Sequence, residues 1–210
     1  MSVFPPARDS ELVQIMDTAL AVAARKSGEW LVCRRGCTQC CIGPFAINQL
    51  DAARLRQGMA TLETNDPRRA ARIRRRAKNS VARLRKLGFP GNTATGILPE
   101  NIDGENNAAE ELFDEFTARA DNEPCPVLDP KTGACDLYAF RPMTCRVFGP
   151  PVRSEGGLGV CELCFHGASD EQIAACEMPV DPDHLEPQLV QELENTTGIR
   201  GETLVAFCVL

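Results

Sequence analysis

Residues 33–41 read C-R-R-G-C-T-Q-C-C, and residues 125–145 read C-P-V-L-D-P-K-T-G-A-C-D-L-Y-A-F-R-P-M-T-C. Cys33, Cys37, Cys40 and Cys41 fall within nine residues. Cys125, Cys135 and Cys145 follow at intervals of ten, and Cys161 and Cys164 close the series as C-E-L-C. Leu, Ile, Val and Phe supply 49 of the 210 residues, about 23%, just above the level below which disorder is expected. With so modest a core, a metal or cross-link is expected to help define the fold. The odd total of 11 cysteines argues against complete internal disulfide pairing. The N-terminal M-S-V-F-P-P-A-R-D-S has no basic segment followed by an apolar stretch, and no apolar run approaches the ~20 residues of a membrane span. The expected compartment is the cytoplasm, where thiols stay reduced and clustered cysteines read as metal or redox sites.

Working outward, the flanking sequence is mostly helical in pattern. Ser10 is the expected cap of a first helix through Leu12, Ile15, Met16, Ala19, Val22 and Ala23, ending near Ser27-Gly28. Asn48 or Asp51 starts a second. Asp66-Pro67 caps a third, long helix with a narrow apolar face of Ile73, Ala77, Val81 and Leu84, ending before Gly88. Residues 91–104 read as an irregular connection. A fourth, acidic helix is expected from Asn106 to Ala120 with Ala109, Leu112, Phe113 and Phe116 inward. Asp129 to Gly133 supplies turn chemistry for a short β-hairpin that brings Cys125 and Cys135 together. Arg141-Pro142 opens a short helix carrying Cys145. Pro150 to Gly159 reads as a loop, and short helices follow at Asp170–Cys176, Pro187–Asn195 and Glu202–Phe207. The expected fold class is mostly α: a small helical domain with a short β-hairpin, organised around a cysteine-ligated metal centre. It is read as one domain over 1–210, with a motif-bearing core at 30–165 and a helical C-terminal extension at 166–210.

Zinc and iron–sulfur centres both take thiolate ligands, commonly four per site. Cys37-x2-Cys40 allows two side chains to converge on one metal, and Cys33 can join from the preceding turn. Cys40 and Cys41 are adjacent, so one is expected to point to a second site, bridge two metals or pack nearby. Two four-thiolate sites or one polynuclear cluster are both open. Arg34, Arg35, Arg141 and Arg146 flank the proposed ligands and either offset thiolate charge or are simply solvated. Cys208, in V-A-F-C-V-L, reads as a small buried apolar residue. Cys176 is open. His166 is an alternative ligand, although a solvent or structural role is the simpler reading, and His184 reads as a surface residue.

C-R-R-G-C-T-Q-C-C, followed by C-P-V-L-D-x3-G-A-C-x-L-Y-x-x-R-P-x-x-C-R-x-F, resembles the YkgJ-type cysteine-cluster family, described as zinc- or iron-chelating. The resemblance spans roughly Trp30 to Phe165. It implies metal binding through eight cysteines: Cys33, Cys37, Cys40, Cys41, Cys125, Cys135, Cys145 and one of Cys161 or Cys164. The usual opening has two residues between its first two cysteines, whereas this chain has three.

Three functional readings follow. The first is a metal-binding protein, holding an iron–sulfur or iron centre in preference to zinc, with a role in metal handling or redox chemistry. The second is an iron–sulfur-dependent modification enzyme or maturation factor, as in the flagellin lysine N-methylases that share the cysteine motif. No G-x-G-x-x-G, P-loop or H-E-x-x-H signature supports a specific reaction. The third is nucleic-acid binding through residues 68–86, which hold ten Lys or Arg and no acid in a chain of net charge −6. Without aromatic residues for stacking, that reading yields to a solvated helix whose arginines face the acidic helix. The expected partners are therefore the metal or cluster and an unidentified protein, with nucleic acid disfavoured and no membrane.

Overall fold

The computed structural model describes residues 4–34, 36–99, 108–154 and 156–210. The expected role of Arg35, the start of the fourth helix at Asn106, and residues 1–3 and 100–104 lie outside them.

Helix α1 covers Asp9–Ser27. Ser10 does not cap it; its hydroxyl bonds back to the Ala7 carbonyl. Helix α2 covers Gln49–Asn65 and starts at Asn48, whose side chain accepts the Asp51 N–H at 3.0 Å. Helix α3 covers Pro67–Lys86; Asp66 accepts the Arg69 N–H at 2.9 Å, and the Phe89 N–H returns to the Leu84 carbonyl at the other end. These caps satisfy backbone groups that a helix end otherwise leaves bare. Helix α4 covers Ala108–Arg119, α5 Met143–Val147, α6 Asp170–Ala175, α7 Leu185–Thr197 and α8 Val205–Cys208.

Three short antiparallel pairs connect them. β1 (Ala46–Ile47) pairs with β6 (Thr203–Leu204). β2 (Leu128–Asp129) pairs with β3 (Ala134–Cys135), which is the expected hairpin. β4 (Val152–Ser154) pairs with β5 (Gly157–Gly159), inside the stretch read as a loop.

Helix α2 is central because both its faces are covered. Ala52, Leu55 and Met59 pack with Ala70, Ile73 and Ala77 of α3 and with Val205 and Cys208. Leu50 and Ala53 pack with Leu12 and Met16 of α1, Met143 of α5 and Leu189 and Leu193 of α7. A third cluster joins Val81 and Leu84 of α3 to Phe89, Phe116 and Leu204. Cys208 is buried here, and its thiol meets the Leu204 carbonyl.

Two expectations for α4 fail. Leu112 is 52% exposed, whereas Phe116 is buried and Phe113 packs partly buried beside it. And no ion pair joins α3 to α4 among the described residues. Arginines of α3 reach Asp136, Glu123 and Glu63 instead, because α4 docks through Phe116 and leaves Glu111, Asp114 and Glu115 exposed.

Candidate metal centre

The first cysteine segment is irregular backbone pinned from two sides. A 3-10 turn at Gln39–Cys41 follows the Cys37 N–H bond to the Arg34 carbonyl. The Cys125 N–H then donates to the Cys41 carbonyl at 2.8 Å, and the Gly43 N–H to the Glu123 carbonyl at 2.9 Å. These bonds zip residues 41–43 to 123–125. The hairpin turn closes from the other side. Asp129 accepts the Lys131 N–H and the Thr132 hydroxyl, and Gly133 takes φ +65°. A Cβ on Gly133 would lie 3.2 Å from Gly36 Cα, so the turn requires glycine both for its backbone angle and for the close approach.

The C-E-L-C loop arrives by a separate route. The Phe165 N–H donates to the Trp30 carbonyl, and the Cys164 N–H to the Cys161 carbonyl. Gln39 Nε2 donates to Glu162 Oε1 at 2.6 Å, tying this loop to the first cysteine segment. Cys164, Phe165 and Cys176 form a buried cluster with Trp30, Leu31 and Cys161 against it. Cys176 therefore sits beside the C-E-L-C pair.

The thiols gather into two neighbourhoods. Cys33 is exposed, yet partial burial pushes its thiol up to about 11, with Cys37, Cys40, Cys164 and Cys161 adding to the shift. Burial pushes Cys164 up as well, with Cys161 contributing. In the second neighbourhood, burial raises Cys125 to about 12, with Cys135 and Cys40 adding. Burial likewise raises Cys145, with contributions from Cys125, Cys135 and Cys40. Cys40 thus contributes to the rise of thiols in both halves of the chain. Its own thiol is raised first by the adjacent Cys41 thiol and then by burial.

All 11 cysteines are free. Soft thiol donors in this number suit zinc or iron. Among the described residues no three His, Cys, Asp or Glu side chains form a finished metal-holding group. What the fold supplies is contact between the segments that carry soft donors. Burial favours the protonated thiol at Cys33, Cys125, Cys135, Cys145 and Cys164, so metal binding there must displace protons. His166 and His184 are exposed.

The flanking arginines divide. Arg146 is buried and donates to Asp17 Oδ1 at 2.7 Å and to the Ala139 carbonyl at 2.6 Å, so it clamps α5 to α1. Arg141 stacks 3.9 Å over the Tyr138 ring and donates to the Tyr138 carbonyl. Neither is simply solvated. Arg34 is exposed. Burial raises the Cys135 thiol and Asp136 adds to it, while Arg141 and Arg69 pull against the rise.

Sequence reasoning missed Arg69, Arg76 and Arg83. Spaced by seven, they share one flank of α3. Arg69 and Arg76 both hold Asp136, at 2.6 and 2.5 Å, and Arg76 also donates to the Pro126 carbonyl. Arg83 makes a two-pronged contact with Glu123, 2.7 Å on each arm. Asp136 adjoins Cys135 and Glu123 lies two residues before Cys125, so α3 staples both ends of the hairpin segment. The signal was the seven-residue spacing together with acids beside the cysteines. Asp51 was missed too. Its Oδ1 accepts the Met143 N–H at 2.9 Å, opening the helix that carries Cys145, and it pairs with the buried Arg54. Arg54 in turn donates to Asp9 Oδ1 at 2.7 Å.

Fold and donors together define a small helical, cysteine-rich domain of the metal-chelating class. The chain belongs to the CxxCxxCC family, whose model, described as "putative zinc- or iron-chelating domain", matches residues 32–165. Comparison with curated proteins gave no match, and neither did comparison with solved structures.

Proposed function

We propose that this chain binds iron as a thiolate-held cluster, through two sets of cysteines that meet at Cys40 and Cys41. The outer set is Cys33, Cys37, Cys161 and Cys164; the inner set is Cys40, Cys125, Cys135 and Cys145, with Cys41 at the junction. The carrying observation is the contact between cysteine-bearing segments. The Cys41 carbonyl takes the Cys125 N–H and Gln39 donates to Glu162 of the C-E-L-C loop, which supports drawing donors from both halves of the chain to one centre. On this reading Cys161 and Cys164 both serve. Iron is preferred to zinc because shared and adjacent thiolates suit a polynuclear centre, which supplies electron-transfer or Lewis-acid chemistry when bound. The chain's own residues hold it: α3 and Asp51 fix the inner set, while the Gln39–Glu162 contact and the Trp30 backbone fix the outer one. We treat 1–210 as one unit, supported by the packing of α7 and α8 on α2.

Anaerobic purification followed by metal analysis, acid-labile sulfide assay and visible absorption tests the reading. Brown protein with iron and sulfide is expected. Colourless protein with stoichiometric zinc and no sulfide overturns iron, and fully folded protein that takes up no metal overturns metal binding.

A further inference from the structure

Residues 67–86 form one continuous helix whose cations divide by face. Ile73, Ala77 and Leu84 point into the core. Arg69, Arg76 and Arg83 occupy one flank and are consumed by Asp136 and Glu123; Arg74, on the other flank, is taken by Glu63. Opposite the core lie Arg68, Arg72, Arg75 and Lys86, with Lys78 beside them, all exposed. No side-chain hydrogen bond or ion pair engages these five among the described residues. Arg72 comes near enough to Asp129 to help lower that carboxyl, without pairing. At 1.5 Å per residue, the stripe from Arg68 to Lys86 runs about 27 Å.

We propose that this outward stripe binds the phosphate backbone of duplex nucleic acid without reading its sequence. Guanidinium groups match phosphate oxygens in a two-pronged geometry, and a straight cationic line suits a regularly repeating anion. The stripe offers Ala71, Asn79 and Ala82 between its cations, so it has no aromatic or large aliphatic anchor of the kind a protein interface centres on. Aromatic residues for stacking unpaired bases are lacking as well. Its apolar face is already spent on the core, so it cannot lie in a lipid surface as an amphipathic helix does. The expectation that disfavoured nucleic acid had these arginines facing α4, and among the described residues no acid pairs with this face. Outside residues 68–86 the chain carries 13 basic and 29 acidic residues, a balance of −16, which restricts binding to modest salt.

The test is fluorescence anisotropy of the metal-loaded full chain with a labelled mixed-sequence duplex about 20 base pairs long. Four phosphate contacts predict a log–log salt slope of about −3.6, so affinity falls about 10²-fold between 50 and 200 mM salt. Arg68→Glu/Arg72→Glu/Arg75→Glu is expected to weaken binding tenfold or more and bring the slope towards about −1. These side chains touch nothing in the core, so the melting curve and metal content stay at parental values. Should the triple variant fail to fold, Arg72→Gln alone lowers the slope by about 1. Absence of duplex binding at 50 mM salt overturns the proposal. So does equal binding by parent and variant, or capture of polyglutamate or phosphatidylserine vesicles in place of duplex. None of these results bears on the metal centre.

Discussion

Asp136→Asn is the most informative single change at the inner set. Asp136 is 4% exposed, and its two oxygens are divided between Arg69 at 2.6 Å and Arg76 at 2.5 Å. Its own N–H donates to the Val127 carbonyl, so the residue is fixed in the hairpin and its carboxylate is what α3 grips. Breaking a buried ion pair by removing one partner costs about 3–5 kcal/mol. Arg69 is 37% and Arg76 22% exposed, so solvent screens part of that, leaving about 2–3 kcal/mol. For a chain of this size the melting temperature then falls by roughly 5–10 °C. The loss reaches the metal because Cys135 precedes Asp136 and Cys125 is held through the same segment. Thermal melts with and without metal, together with metal retention against a chelator, read both effects. Arg69→Ala in the Asp136→Asn background is expected to add little, since among the described residues the Arg69 side chain pairs with Asp136 alone. A variant that melts within about 1 °C of the parent and retains metal equally refutes the staple, because a screened surface pair behaves that way.

Further expectations bear on the thiols and the turn. Cys161→Ser and Cys164→Ser should each lower metal content, and full retention by either removes that residue from the outer set. For metal-free protein the sign of the pH effect follows from raised thiols. The stabilisation from protonated Cys33 and Cys125 is full below the unfolded thiol value of about 8.5 and is lost as pH climbs towards about 11 and about 12. Metal-free protein should therefore melt lower with rising alkalinity, while metal uptake releases protons and weakens as pH falls. A pH-indicator titration that detects no proton release on loading contradicts this. Gly133→Ala places a Cβ 3.2 Å from Gly36 and demands φ +65° of an L-residue, so it should cost about 1–2 kcal/mol. An unchanged melt would show that the two cysteine segments do not pack at this turn.

Legibility followed the range of the forces. Helix ends were readable because caps are local: Asn48, Asp66-Pro67 and Gly88 act within a few residues of the bonds they satisfy. The hairpin at Asp129–Gly133 was readable for the same reason. The partners of the α3 arginines were not. A run of like charge announces a charged helix but not which acids it meets, and Asp136 and Glu123 lie 40 to 67 residues away along the chain. Nor was the fate of Arg146 readable, since Asp17 approaches it from α1, 129 residues earlier.

The amino-acid sequence by itself determined the cysteine clusters, the helical class and the hairpin turn between Cys125 and Cys135, because side-chain chemistry and capping are properties of neighbouring residues. Tertiary structure decided which cysteine-bearing segments meet. The C-E-L-C loop reaches the first segment because the Trp30 carbonyl and Gln39 hold it. The Cys125 hairpin lies against the first segment through the Cys41 and Glu123 carbonyls, with α3 gripping Asp136 and Glu123 and Asp51 holding the start of α5. Spacing along the chain shows which residues can share a turn; only packing brings together donors more than a hundred residues apart.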